Sequence, residues 1–588
     1  MTHPAYFLMT ILILSRTALG NLSQIGRGLP WVEIPFHFAD ICLCVFFAYI
    51  TTFVITLCGK YWLKLLFYFI NATLVLVVYF LKFNFNFDIS PLTVRLLFET
   101  NTNEISGFFS TFAFSIESIK AYVVTFLYVI SSILLELCFS KECVLKYFKS
   151  KFFIIVVGGG ICIAIFSGTI WGFYSYSKLL QCRSMLECQQ WNGTPSISSH
   201  NDISKIFYAF YEIYIDSKEA IRQIDITLNL TKNDSICSTD DSLTVVYVIG
   251  ESYIKHHSHL YGYELNTTPR MIEEQQCGNL FAFTNVISPY NYTIKTLRNL
   301  FSCNDINRHE WWSDFPQFPY LFKLAGYDVT YFGNQFSYNN SGIDRDYSLQ
   351  DLLINDKLVE VCYSRVNTST YLYDEQLIVE FFNKYSITNK KNLHVFHLWG
   401  QHNAPQDRYP SETFSKFNAD SICFRSEPWL TNDKKEWIAA YDNATLYNDY
   451  VLGLLFDMFR NKNAVILYHA DHGEEMYDYR DMRGRKFVEN LYSKDFRHCQ
   501  YDVPFIIWCS DKYMEGHRDV VLNIKASLDK PYMIDNTCQV LFHLGGIDTR
   551  FYFPERDLIS TDFEPVDRYM DVVGNKYIYN YDSIVGAR

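Results

Sequence analysis

Clustered positive charge is missing from the second half of these 588 residues, and cysteine pairs at CxxC spacing are missing throughout. Lys and Arg number 51 against 63 Asp and Glu, a formal net charge of -12, and no basic stripe runs through the second half. Nucleic acid is thereby excluded as a partner, since a phosphate backbone is held chiefly by grouped Lys and Arg. With no CxxC among the 16 cysteines, a cysteine-built metal site is not expected. Charge of either sign is scarce before about Tyr174 outside short loops, whereas the remainder has the composition of a soluble domain. No Lys or Arg precedes the apolar stretch 5–19, which argues against the basic n-region of a signal peptide and favours a first membrane span.

Four longer apolar stretches, 36–58, 63–81, 121–139 and 152–174, each reach the roughly 20 residues that a bilayer-crossing helix needs. Lys60 and Lys64 flank one turn, and Lys141, Lys146, Lys149 and Lys151 crowd a later one. Short loops rich in Lys face the cytoplasm, so the loop 82–120 and everything after Tyr174 are expected outside. Ten cysteines from Cys182 to Cys538 follow the last span, an even set that predicts disulfides in an oxidising compartment. The chain thus divides into an N-terminal α-helical transmembrane bundle (1–174, about five helices), a linker (175–242) and a C-terminal domain (243–588). In the linker, Ile203, Ile206, Phe207, Phe210 and Ile213 recur at helical spacing and predict an amphipathic helix, either on the membrane surface or packed on the soluble domain.

Beyond Leu243, β-branched and aromatic runs at 244–249, 281–287, 328–332, 393–398, 464–468 and 504–508 alternate with helical patterns. That alternation predicts an α/β domain with a mostly parallel central sheet, whose reactive groups lie past the carboxyl ends of its strands. Glu251 follows the first run, Thr293 stands shortly after the second, and Asp471 and His472 follow the fifth. Two carboxylates, an imidazole and a hydroxyl suit Zn²⁺, and a Thr hydroxyl completing a tetrahedral site would ionise at neutral pH to become a nucleophile. The run Lys255 to His259 holds three imidazoles, yet adjacent residues cannot all face one ion, so it reads as a solvated turn.

These segments carry a family resemblance. Val248-Ile249-Gly250-Glu251-Ser252 with Tyr261-Gly262-Tyr263, Thr284 to Ser288 leading to Thr293, Gly400-Gln401-His402, and Asp471-His472-Gly473-Glu474 resemble the lipid A phosphoethanolamine transferases of polymyxin resistance. Those enzymes belong to the alkaline-phosphatase and sulfatase superfamily and also place five spans before a periplasmic domain. The resemblance implies zinc on Glu251, Thr293, Asp471 and His472, with Thr293 taking up the phosphoryl group. It implies His402 near the transferred phosphate, where it could bind a second metal or protonate a leaving group. It also implies substrate contacts from Asn334 and, in the outer loop, from Thr100 and Glu104; His498, the only histidine between His472 and Val503, is a candidate stand-in for a family histidine missing here, with a structural role as the alternative. The chain departs from the family at Leu96, where Asn is usual, and at Ile254, where Arg is usual. Pro289 and Asn299 stand for two cysteines of the nucleophile loop, and the His-Gly expected soon after His472 is absent.

The implied reaction moves phosphoethanolamine from phosphatidylethanolamine to lipid A or another envelope glycolipid. It would occur at the outer face of a bacterial inner membrane, in a monomer anchored in the bilayer. Transfer of glycerol phosphate by the same nucleophile, and a non-catalytic envelope scaffold, are the rival readings.

Overall fold

The computed structural model describes the chain apart from residues 1–2, 25–30, 86–87, 92, 95–111, 140–150, 194–200, 232–235, 309–310, 336–352, 354, 385–389, 403, 486–493, 572–577 and 586–588. Thr100 and Glu104 lie outside the described residues. Two compact units result, Met1–Lys218 and Glu219–Arg588, and the helix Asp202–Leu228 runs across their border.

In the first unit, Trp31–Cys58, Tyr61–Phe85, Ile116–Cys138 and Ile155–Leu179 are long and apolar enough to cross a membrane. The expected first span is a pair of helices, Pro4–Leu14 and Arg16–Ser23, bent by 51° at Ser15, whose hydroxyl bonds back to the Ile11 carbonyl. Such back-bonding is a known source of helix bends. Gly168 lets two helices approach closely, since a Cβ there would stand 2.2 Å from the Cys42 carbonyl oxygen. Small residues permit this kind of backbone contact in lipid, where helices gain little from hydrophobic association. Several charged side chains of this unit are paired. Arg16 clamps Asp202 through two bonds of 3.1 and 2.9 Å, and Lys64 meets Glu136 at 2.6 Å.

The second unit is built on a seven-stranded mixed sheet. Its strands in chain order are β1 (Leu243–Gly250), β2 (Leu280–Phe283), β3 (Asp328–Gly333), β4 (Arg365–Val366), β5 (Lys391–His397), β6 (Ala464–Ala470) and β7 (Phe505–Cys509). Across the sheet they run β2-β7-β6-β1-β5-β3-β4. The five from β6 to β4 are parallel, while β7 is antiparallel to both β6 and β2. Every residue of β1 and of β6 is buried, as befits central parallel strands covered on both faces. The apolar run 281–287 divides after Phe283, and its second piece, Val286–Ile287, pairs instead with Tyr532–Met533.

The expected disulfides are not formed. All ten cysteines from Cys182 to Cys538 are thiols, and most are buried, where they serve as small apolar core residues. Burial pushes the thiols of Cys303, Cys362, Cys499 and Cys509 upward and keeps them protonated.

Candidate metal and phosphoryl-transfer site

Register decides where the site forms. Because Gly250 pairs with Ala470 in parallel strands, the next residues, Glu251 and Asp471, leave the sheet side by side. The Asp471 N–H donates to the Gly250 carbonyl at 3.0 Å, and Gln401 N–H donates to the Glu251 carbonyl at 3.0 Å from the neighbouring loop. Gly250 has no room for a side chain, since a Cβ would stand 2.4 Å from the Tyr468 hydroxyl. Ser252 turns the chain away at φ 55, a left-handed value unusual outside glycine. Its N–H caps Asp471 Oδ1 at 3.1 Å and its hydroxyl donates to Glu251 Oε1 at 2.9 Å, so the turn residue braces both carboxylates.

Thr293 is the first residue of the helix Thr293–Phe301, and its hydroxyl faces both carboxylate oxygens of Glu251, at 3.2 and 3.1 Å. His472 Nε2 lies 3.4 Å from the same hydroxyl, 3.3 Å from Glu251 Oε1 and 3.2 Å from Asp471 Oδ2. The opposite ring nitrogen, Nδ1, meets the Gly473 carbonyl at 2.7 Å. That contact fixes the proton on Nδ1 in the neutral ring and aims the Nε2 lone pair at the centre. Glu251, Asp471 and His472 are fully buried.

Electrostatics mark this centre. Burial pushes the carboxyl of Asp471 upward, to about 7, with the charge of Glu251 adding to it. Burial also opposes ionisation of Glu251, but the His472 imidazole outweighs it and holds that carboxyl well below its ordinary range. For His472, burial favours the neutral ring, and the Asp471 carboxylate overcomes it and raises the pKa. Asp471 and His472 thus compete for one proton. The Oδ2 atom of Asp471 is buried with no hydrogen bond of its own. A divalent cation between them would answer both facts, and the donor atoms of the three residues lie within 4.8 Å of one another. Two carboxylates, an imidazole and a hydroxyl fit zinc by donor type.

The remaining candidates are distributed around this centre. His402 is close enough to feel the charges of Glu251, Arg485 and His472, and burial lowers it to about 3, so it is neutral at pH 7. Asn334 is buried, with its amide nitrogen donating to Asp374 Oδ1 at 2.9 Å and its oxygen accepting from Tyr371 N–H at 2.6 Å. His498 joins a separate group with His256 and Asp502. His257 does not sit in a solvated turn. It is buried between Asp442 Oδ1 at 2.6 Å and Asp478 Oδ1 at 2.9 Å, where the two carboxylates overcome burial and raise it to about 10.

That triad yields a stability prediction. A folded-state pKa above the free histidine value contributes stability fully below about pH 6.5, and the contribution fades as pH climbs to about 10. Replacing His257 with Asn leaves two buried carboxylates facing one another and should cost about 3–5 kcal/mol at pH 7. Thermal melts of the variant and the wild type at pH 6, 8 and 10 should converge as pH rises; a gap that stays constant would refute the charge argument.

Two residues at the centre carried no sequence signal strong enough to single them out. Gln335 donates to Glu251 Oε2 at 2.9 Å and to the Leu398 carbonyl at 3.1 Å. It stands just past the carboxyl end of β3, next to Asn334, so the strand-end rule alone could have found it. Arg485 places Nη1 2.8 Å from His472 Nε2 and 3.2 Å from the Asn291 carbonyl, with Nε 3.5 Å from Glu474. It reaches the site from an irregular segment in which no periodicity marks it.

Known proteins resemble this chain in sequence and fold. Residues 244–529 match the sulfatase family. The phosphoethanolamine transferase EptC of Escherichia coli strain K12 is 26% identical over 535 residues, which is 87% of this chain and 85% of that protein. The Kdo(2)-lipid A phosphoethanolamine 7''-transferase of Salmonella typhimurium strain LT2 is 27% identical over 295 residues, 48% of each chain. Among solved structures, the integral membrane lipooligosaccharide phosphoethanolamine transferase A of Neisseria meningitidis superposes with a TM-score of 0.57 over 94% of this chain and 96% of its own, at 16% identity, a likeness of fold. This chain therefore carries a sulfatase-family domain and is a homologue of the phosphoethanolamine transferases.

Proposed function

We propose that this protein transfers phosphoethanolamine from phosphatidylethanolamine to lipid A or a related envelope glycolipid, with Thr293 carrying the group between them. The observation that supports it is one hydroxyl, at the start of a helix, facing Glu251 and His472 beside the Oδ2 of Asp471, which has no hydrogen bond. Relatives named as phosphoethanolamine transferases, one of them acting on Kdo(2)-lipid A, supply the substrate class.

Zinc held by Glu251, Thr293, Asp471 and His472 would supply the positive charge that ionises the threonine and neutralises phosphoryl oxygens. Thr293 Oγ1 then forms a bond to phosphorus as the bond to the diacylglycerol oxygen breaks, and the proton given up by the threonine ends on that leaving oxygen. In the second step an acceptor oxygen on the glycolipid attacks the same phosphorus, and the threonine oxygen is released. Neutral His402 can accept a hydrogen bond from an acceptor hydroxyl, and Arg485 can offset negative charge on the group in transit. The N–H groups of the first turn of Thr293–Phe301 favour a bound phosphoryl group for the same reason. Spans in the bilayer keep both lipids near one active site, which saves a diffusional search.

Mass spectra of lipid A from cells with and without the gene test the reading. A gain of one phosphoethanolamine unit supports it, a gain of glycerol phosphate moves the assignment to the rival transfer, and no change in any envelope lipid refutes it. Gln335 provides a finer check, because it orients Glu251 without joining the reacting group. Gln335→Ala should lower zinc affinity and turnover together by roughly 10–100-fold, as loss of a partner that orients a metal ligand does. Turnover lost at unchanged zinc affinity would instead place Gln335 on the substrate.

A further inference from the structure

Away from the centre described above, a second set of metal-type donors converges. His256 Nε2 lies 3.3 Å from Asp502 Oδ2, and His498 Nδ1 lies 2.9 Å from the same oxygen. The two rings stand edge to face with centroids 5.6 Å apart, and one donor atom from each of the three residues lies within 4.8 Å of the others. We infer that His256, His498 and Asp502 form a second divalent-metal site, of zinc type, whose work is to hold the active-site loops in place.

The geometry suits a small ion. With bonds of about 2.0–2.1 Å to nitrogen and oxygen, a tetrahedral centre separates its ligand atoms by roughly 3.3 Å. The two separations from Asp502 Oδ2 stand close to that value, so little movement is required. Two imidazoles and one carboxylate favour zinc or a neighbouring transition ion over magnesium or calcium, which prefer oxygen. The carboxylate is already oriented, because the Tyr581 hydroxyl donates to its other oxygen, Oδ1. The His256 side chain is 39% exposed, which leaves water a path to a fourth position. One group opposes a cation here: Lys255 Nζ lies 3.6 Å from Asp502 Oδ2. That ammonium also donates to the Thr284 carbonyl at 2.8 Å and can rest there.

The three ligands join segments that matter to the first site. His256 lies five residues beyond Glu251, in the turn Lys255–His257. His498 belongs to the helix Lys494–Gln500, and Asp502 follows that helix and bridges Ile287. Between them, Tyr501 accepts from Ser288 N–H at 2.8 Å, and the Gln500 side chain accepts from Asn291 at 2.8 Å. The Gln500 carbonyl accepts from Gly473 N–H at 2.9 Å. An ion at His256, His498 and Asp502 would therefore tie the chain after Glu251 to the segment that braces both the approach to Thr293 and the turn after His472. This inference does not depend on the transferase reading.

The test uses full-length protein in detergent, stripped of metal and reloaded with zinc, with bound zinc counted by elemental analysis. Wild type should hold two ions per chain, and His256→Gln and the double variant Glu251→Gln/Asp471→Asn one each. Zinc should raise the melting temperature of the double variant but raise that of His256→Gln less than it raises the wild type. Lys255→Met, which removes the opposing charge, should tighten zinc binding by the double variant. The inference is overturned if the double variant holds no zinc, or if His256→Gln binds as many ions as wild type. A wild type with one ion, lost in His256→Gln and kept in the double variant, would support the second site and sink the first.

Discussion

Thr293→Ala should abolish transfer to the lipid acceptor and leave no phosphoethanolamine on the protein. Removing a nucleophile from a covalent mechanism can cost as much as about 10⁶ in turnover, since neighbouring groups then have nothing to activate. Thr293→Ser, which keeps the oxygen at the helix start, should restore measurable transfer. Intact-protein mass spectrometry after brief exposure to phosphatidylethanolamine checks both, because the wild type and the serine variant should carry the added mass and the alanine variant should not. An alanine variant that still modifies lipid would place the nucleophile elsewhere. The variant should fold normally, as Thr293 is only half-buried and its backbone stays in the helix.

Asp471→Asn should remove zinc from the first centre and reduce transfer by at least about a hundredfold. The amide keeps the shape but lacks the charge, so the buried Oδ2 position no longer offers a carboxylate oxygen to a cation. Asp471 Oδ1 accepts from the N–H groups of both Ser252 and His472, at 3.1 and 2.7 Å, and an oxygen can remain there in the variant. Stability should consequently fall much less than activity. Zinc counting and transfer assays on the same preparation decide the matter, and a variant with full zinc and full activity would show that Asp471 plays no part.

The contrast between Asp471 and His256 shows what pattern reading can and cannot reach. Asp471 follows a fully buried strand, so its place at a strand end was legible from the apolar run before it. His256 stands in a run of charged and polar residues whose spacing has no period, and the fold sends His257 inward to Asp442 and Asp478 while His256 turns to Asp502. Neighbours in sequence thus part company because their partners lie some 180 to 250 positions away. Arg485 escapes pattern reading for the same reason, since it is defined by what it touches.

Sequence alone determined the membrane-spanning character of the first unit, the alternating strands of the second, and the residue types from which a zinc centre could be drawn. Local chemistry suffices for these, because bilayer thickness and strand burial impose hydrophobic lengths that can be read directly. Tertiary structure alone decided that Gly250 and Ala470 pair in register, so that Glu251 and Asp471 emerge together, and that Thr293 and His472 close on them. It also decided that most of the later cysteines lie as thiols in the core and that His256, His498 and Asp502 meet. Such contacts join residues far apart along the chain, and their geometry follows from sheet register and packing, which no local pattern specifies.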